Sequence, residues 1–500
     1  MASHRESSIV VFARQLRSGF LEVCSQSMGK LGIILLAWFI AMSIYALIAV
    51  PPSIVTAWSN PKAWQDYPSL VPPAWISIFG VPVAPHMVKI VSKPSSTGLS
   101  LLGYQVNYTV TYVLPSKAFP NDRGVIVSIL SYKPVKLPDG TPVDAYLTLS
   151  IMRPDGLSVV VYSSPQPITG PTTIRIEPLM AARQVLLEFN SFYHTNYTYA
   201  QLSSIQNNIV HYLFGKPTPN GGLKPYPGAY IITLTVTYSA RGHSPREVMN
   251  AIESSGGGVG KVKFVVAGSA YGLCGTDNIG RDLWEGILYS FPIELLIGVF
   301  AAVVATAIGV VAGIVSGYYG GWIDEFIQRF VDVMSNVPLL PILVLIGAIV
   351  QATLLNPWDR LMVILLVIII FSWGWLAIMV RSMTLSIKAE PYVEAAKALG
   401  ASDLRIMLRY VLPQIMPYVM ANLVFAVPGA ILTEAGISVL GIEHGLPTWG
   451  RILADARASM RYDVWWWIFP PGILIALISL CFVLLGMAIE VIVEPRLRGR

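Results

Sequence analysis

Charge is the scarcest commodity in this 500-residue chain: only 12% of residues are charged, against 54% apolar. Soluble domains carry about 25% charged residues, so a chain this depleted is solvated by lipid if its apolar residues form runs of about 20. Cysteine is nearly absent, and in the topology argued below Cys24, Cys274 and Cys481 fall inside, outside and within the membrane, so no intrachain disulfide or zinc cluster is expected. Histidine is equally sparse: His4, His86, His194, His211, His243 and His444 form no metalloprotease-type pair. "GISVL" (436–440) lacks the second glycine of a nucleophile elbow. "SSGGGVGKVKF" (254–264) lacks both the first glycine and the hydroxyl residue of a phosphate-binding loop, and reads as a flexible linker. These absences leave little room for an enzyme, and no metal or nucleotide site is expected on this chain.

What the chain does have is length of hydrocarbon. Six apolar runs occur, at 31–50, 293–317, 339–355, 361–380, roughly 415–440 (interrupted by Pro417 and Pro428) and 465–489. The first is longer than a signal-peptide core and is followed by "VPPS", so it reads as a retained anchor. Lys and Arg concentrate at 1–30, at Arg329, at 381–409 and at 496–500, whereas the short loops of the opposite side hold only Arg360, Arg451, Arg457 and Arg461. The positive-inside rule then places both termini in the cytoplasm and residues 51 to about 290 outside, in a plasma membrane. The net charge of +6 follows from this loop bias and needs no nucleic-acid partner.

Three domains are expected: 1–50, with the cytoplasmic N-terminus and first span; 51–270, outside; and 271–500, with spans two to six. In 51–270, alternating segments such as "GYQVNYTVTYVL" and "GAYIITLTVTYSA" are separated by turns such as "LPDGTP", which predicts an antiparallel, immunoglobulin-like sandwich with a helical insert at 178–214. Asn107 and Asn196 begin sequons compatible with glycosylation outside.

The exception among the apolar runs is "EAAKALGASDLRIMLRYVLP" (394–413). Strong helix formers precede Gly400, a natural left-handed stop; Ser402 stands where it can cap a second helix beginning at Asp403. On that helix Leu404, Met407, Leu408 and Val411 are expected to share a face, and Pro413 marks the junction with the fifth run. Two short helices at a fixed bend make either a solvated loop or a lever for a partner.

The pattern resembles the EAA loop of ABC-importer permeases, and more narrowly the C-type permease of the dipeptide, oligopeptide and nickel importer family. Further pieces fall in family order: "GTDNIGRDLWEGILYS" (275–290), "IDEFIQRFVDVMSNVP" (323–338), "AILTEAGISVLGI" (430–442), "PTWGRIL" (447–453) and "EPRLR" (494–498). The resemblance covers 271–500 closely. It implies a six-helix type I importer permease fold with the β-rich domain inserted between helices one and two. It further implies a heterodimer with a B-type permease, two ATPases that hold ATP and magnesium, and an external substrate-binding protein. The cargo it implies is di- or oligopeptide, with oligosaccharides or nickel chelates as alternatives.

By the same resemblance, the ATPase-coupling residues are Glu394, Ala395, Ala396, Gly400, Leu412 and Pro413, in a loop at about 390–413. The Ala pair would permit close approach to an ATPase groove. Glu434, an acid inside an apolar run, is a candidate for gating or bracing, and Asn336 and Asn422 are candidates for the pathway. Residues 275–290 read as an amphipathic outer helix. The chain departs from the family pattern at Tyr410, in the context of its terminal Arg-Leu-Arg, and in the size of the segment 51–270. An anchored surface receptor would explain the sandwich but not the spans. An ion-driven transporter would call for several intramembrane acids and an internal repeat, which the sequence does not contain.

Overall fold

The computed structural model describes residues 23–115, 117–218, 222–354, 356–442 and 444–493; His4, the basic N-terminal residues and the "EPRLR" tail lie outside them. The chain separates into two compact units, Asn60–Trp284 and Met1–Ser59 with Glu285–Arg500.

In the first of these units, period-two alternation produces two antiparallel sheets. One has the order β2 (Ser96–Ser100), β3 (Gly103–Leu114), β8 (Gly228–Ser239), β5 (Asp144–Met152), β6 (Ser158–Ser163). The other runs β1 (Met87–Val91), β9 (Val262–Val266), β4 (Val125–Ile129), β7 (Thr173–Arg175). Alternate residues of β3 (Tyr104, Val106, Tyr108, Val110, Tyr112, Leu114) and β8 (Tyr230, Ile232, Leu234, Val236, Tyr238) enter a core that also takes Val125, Val127 and Phe264 from the second sheet. The helix Pro178–Tyr193 closes this core with Ala181, Val185 and Phe189.

Two local expectations change here, and the two sequons prove to stand in different settings. The glycine-rich segment is no flexible linker: Gly256 terminates a helix at φ +58°, and β9 follows, paired on both sides with β1 and β4. Buried Val262, Phe264, Val265 and Val266 order it. Asn107 sits within β3, where its amide donates to Ser96 Oγ (3.1 Å) and accepts from Thr235 Oγ1 (2.7 Å), whereas Asn196 is exposed outside the sheets. Residues 275–282 form a loop in which Asp277 accepts the Ile279 and Arg281 N–H groups, rather than an amphipathic helix of their own. The long helix begins directly after it.

A surface trio in this unit is sensitive to pH. His243 Nδ1 lies 3.0 Å from Glu247 Oε2, and Nε2 lies 3.0 Å from Asp139 Oδ2. The Glu247 hydrogen bond, with the charge of Asp139, holds the imidazolium above its ordinary range. Backbone N–H donors, from Thr141 and Ser244 respectively, then His243, hold Asp139 and Glu247 below theirs. The imidazolium contribution is complete below the unfolded histidine value and lost as pH rises through the raised one. The carboxylate contributions exist above the unfolded carboxylate values and vanish as pH falls through the lowered ones. The trio therefore stabilises most between about pH 4.5 and 6.5. His243→Ala should lower the Tm of the full chain inside that window and leave it nearly unchanged at alkaline pH. An equal shift at both would mean that the ring acts by packing alone.

The second unit is helical: α1 (Ser27–Ala49), α2 (Leu283–Tyr319), α3 (Gly321–Asn336), α4 (Leu339–Thr353), α5 (Pro357–Ser372), α6 (Gly374–Lys388), α7 (Pro391–Ala398), α8 (Asp403–Ile406), α9 (Leu412–Val439), α10 (Trp449–Ala458) and α11 (Trp465–Val493). Five stretches among the described residues are long and apolar enough to cross a bilayer: α1, α2, Pro357–Lys388, Asp403–Val439 and Trp465–Val491. The run at 339–355 does not supply a straight sixth. Its helix α4 has 15 residues and is bent by 78° from the amphipathic α3, so the pair makes one broken candidate span. Pro338 sets the break, because the residue before a proline avoids helical ψ; Val337 stands at ψ 123°. Pro417 and Pro428 do not interrupt α9, which stays helical through both.

Close approach between helices rests on glycine. A side-chain carbon at Gly309, Gly313 or Gly317 of α2 would lie 2.9, 2.6 and 2.7 Å from the carbonyl oxygens of Trp373, Ala377 and Arg381. The backbones of α2 and α6 thus touch along three successive turns, the small-residue packing that lipid-solvated helices favour.

Candidate functional site

The charged loop folds as a foot beneath this helix pair. Pro391 opens α7 with its φ already suited to the first turn. The helix stops at Leu399, and Gly400 takes φ +82° while Ala401 N–H reaches back to the Ala396 carbonyl (3.1 Å). Ser402 is the N-cap of α8 by backbone geometry, but its hydroxyl makes no capping bond. The Asp403 carboxylate instead accepts from Tyr318 Oη of α2 at 2.7 Å. One turn of π-helix, Met407–Val411, then leads into α9. The wide turn suits Pro413, which lacks an N–H for the Arg409 carbonyl and whose ring would crowd it in a regular helix.

The face that packs is not the one the sequence suggests. Ile406, Met407 and Val411 are buried with Val393 and Ile415, whereas Leu404 and Leu408 are 63% and 55% exposed. Leu399 is 89% exposed. The Ala pair also splits: Ala396 is buried against the chain itself, and only Ala395 faces outward. Glu394 and Pro413 are exposed, and Leu412 is half-buried. Tyr410 packs its ring 6.4 Å from that of Tyr392, whose hydroxyl accepts from Gln414.

Polar bonds tie this foot to the spans. Lys388 Nζ, at the end of α6, donates to the Tyr318 carbonyl (2.6 Å) and lies 5.4 Å from the centre of its ring. Arg381 forms a two-pronged ion pair with Asp324 of α3 (2.5 and 2.6 Å), and Ser316 of α2 donates to the same carboxylate. Such forked charge-assisted pairs fix orientation as well as distance. Sequence reasoning missed Tyr318, Asp324 and Arg381 because each pairs with a partner far along the chain.

Higher on the same helices, a cavity of about 280 Å³ opens between α2, α5, α6 and α9. Small and hydroxyl side chains line it, including Ala301, Ala305, Thr306, Ser372 and Thr433, with Asn422, and all of its lining residues are uncharged. Of the proposed pathway residues only Asn422 is here. Asn336 is exposed and bonds the Asp332 carbonyl of its own helix. Glu434 is buried and hydrogen-bonded to Ser438, His444 and Thr448.

Residues 309–499 match the model of the binding-protein-dependent transport system inner membrane component. The oligopeptide transport system permease protein of Escherichia coli (strain K12) is 34% identical over 224 residues, 44% of this chain and 72% of that one. The dipeptide transport system permease protein of Bacillus subtilis (strain 168) is 33% identical over 226 residues, 45% and 68%. The glutathione transport system permease protein of Escherichia coli O1:K1 / APEC is 32% identical over 227 residues, 45% and 72%.

Proposed function

The chain belongs to the family of binding-protein-dependent transport system inner membrane components, and on that premise we propose that it forms half of the pathway of an ATP-driven importer of di- and oligopeptides. The family's members are permeases rather than ATPases; in this reading ATP and magnesium sit on two partner subunits. A B-type permease supplies the other wall of the cavity, and a binding protein delivers cargo to the side bearing residues 60–284. The distribution of Lys and Arg supports a cytoplasmic position for the foot.

The observation that carries the coupling role is the foot itself. Its buried face is used up by its own chain, yet Leu399, Leu404 and Leu408 stay exposed on a bend that the Tyr318–Asp403 hydrogen bond ties to α2. A helix that displays leucines outward is built to dock. When the ATPases close, the foot moves with them. The touching backbones of α2 and α6 carry the displacement to the cavity as one body. An uncharged, small-residue wall suits cargo whose side chains vary, since no fixed charge selects among them. Di- and oligopeptide cargo is what the names of the related dipeptide and oligopeptide permeases support.

The whole complex in proteoliposomes should take up labelled peptides only with ATP on the ATPase side and binding protein on the other. Uptake driven by an ion gradient without ATP would overturn the mechanism. Uptake of a labelled oligosaccharide or nickel chelate in place of peptide would overturn the cargo.

A further inference from the structure

Two stretches of the unit Asn60–Trp284, residues 67–88 and 264–276, contain no Asp, Glu, Lys or Arg. They lie side by side. The Tyr271 N–H donates to the Pro72 carbonyl (2.9 Å), the Ala74 N–H to the Gly272 carbonyl (2.9 Å) and the Thr276 N–H to the Val71 carbonyl (3.0 Å). This double strap leads straight into a membrane span, because the N–H of Leu283, the first residue of α2, donates to the Gly275 carbonyl at 3.1 Å. The charges that border the strap are taken up within the unit: Asp66 pairs with Lys263, Asp277 pairs with Arg281, and Asp282 is buried.

The strap carries a short 3-10 helix, Ala74–Phe79, which Gly80 ends at φ +79° and which has no buried residue. Ile78 is 81% and Phe79 75% exposed, and Trp75, Val81 and Leu273 are exposed beside them. The rings of Trp75 and Phe79 meet edge to face at 6.1 Å. Polar groups of the same turn are bonded back to the chain. The Trp75 indole N–H donates to the Leu273 carbonyl (2.8 Å), and the Ser77 hydroxyl to the Ala74 carbonyl (2.9 Å). Pro72, Pro73 and Pro82 have no N–H to desolvate.

A cluster of large exposed apolar side chains marks a contact surface. A protein partner is met by an apolar centre inside a polar rim, and the strap supplies no charge for such a rim. Tryptophan and phenylalanine beside aliphatic residues, with the indole N–H already satisfied, suit the boundary between lipid headgroups and acyl chains. The strap is also hydrogen-bonded to the first residue of a span, which keeps it next to a bilayer. The other strongly exposed apolar pair of this unit stands elsewhere. Leu101 and Leu102 form the turn between β2 and β3, whereas Tyr112, at the opposite end of β3, donates to the Pro85 carbonyl beside the strap (3.0 Å). Strand rise separates the two places by about 30 Å.

We propose that Trp75, Ile78 and Phe79 anchor this unit in the lipid interface of the leaflet that α2 enters. The anchor is a second hold on the membrane, besides the covalent joints to the spans. It is independent of what the complex transports.

A nitrobenzoxadiazole label on Ile78→Cys, in the whole complex reconstituted into phosphatidylcholine nanodiscs, tests this. The signal from the chain's own cysteines, labelled in the wild type, is subtracted. The emission should shift to the blue, be quenched by doxyl-labelled phosphatidylcholine and resist iodide in the water. A label on Leu101→Cys should behave in the opposite way. Phe79→Cys, read identically, serves if Ile78→Cys does not assemble. Quenching by iodide without quenching by doxyl lipid would leave the turn in water and overturn the proposal. Protection from both quenchers would put a protein over the patch and overturn it equally. So would a Leu101 label that lipid quenches as strongly, since lipid contact would then not depend on the strap.

Discussion

Gly313→Leu is expected to abolish the assembled protein. A side-chain carbon at position 313 would lie 2.6 Å from the Ala377 carbonyl oxygen and 2.7 Å from Val380 Cβ. The obstacle is backbone, which no rotamer change can move aside, and the flanking glycines allow no compensation. At Gly309 and Gly317 the same helix pair is just as close. Overpacking a core costs about 1–3 kcal/mol where side chains can yield. Here the helices must separate along the whole ladder, so at least the upper figure applies, roughly a hundredfold in the folded fraction. Size-exclusion of detergent extracts should show the complex falling to background, with peptide uptake lost in parallel. Gly313→Ala should lie between. A leucine variant that assembles and transports at wild-type levels would show that α2 and α6 do not need this contact, and with it the rigid transmission from foot to cavity would fall.

The second large effect is expected from Leu404→Asp combined with Leu408→Asp. Both side chains stand in solvent, so the isolated chain should fold as before. If they dock into the ATPases, each contributes about 1.5–3 kcal/mol of apolar burial to that interface, and replacing both with charges removes about 3 kcal/mol or more. Peptide uptake should drop at least tenfold, while the yield of folded permease stays level. Co-purification of the ATPases reads the docking directly; full co-purification with full uptake would sink the assignment of these leucines. Ile406→Asp makes the contrast, since Ile406 is wholly buried and its loss should unfold the foot. Gly400 gives a smaller, different effect. Nothing lies within 4 Å of a side-chain carbon there, so Gly400→Leu meets no clash, only the cost of φ +82°, about 1–2 kcal/mol. It should weaken coupling through a costlier bend while leaving assembly intact.

What the sequence determined by itself is whatever depends on local pattern and composition. Long hydrocarbon runs specify α1, α2, α9 and α11, because only internally hydrogen-bonded helices survive in lipid. Period-two alternation specifies β3, β5 and β8, since one face of each must be buried. The break at Gly400 and the start of α8 at Asp403 are likewise local, set by a residue that tolerates positive φ and by an N-cap position. The family resemblance was legible for the same reason, as spaced motifs along a continuous stretch. Tertiary structure decided what lies across chain-distant contacts. It turned Leu404 and Leu408 outward, because α8 and the π-helical turn after it roll Ile406, Met407 and Val411 onto Val393 and Ile415. It drew Val262–Val266 into the middle of a sheet, where strands from residues 87–91 and 125–129 complete its hydrogen bonds. It also brought Glu294 of α2 to the Trp449 N–H and Glu434 of α9 against Gly450, two successive residues of α10. Helical periodicity tells which residues share a face; only the packed neighbours tell which face is left for a partner.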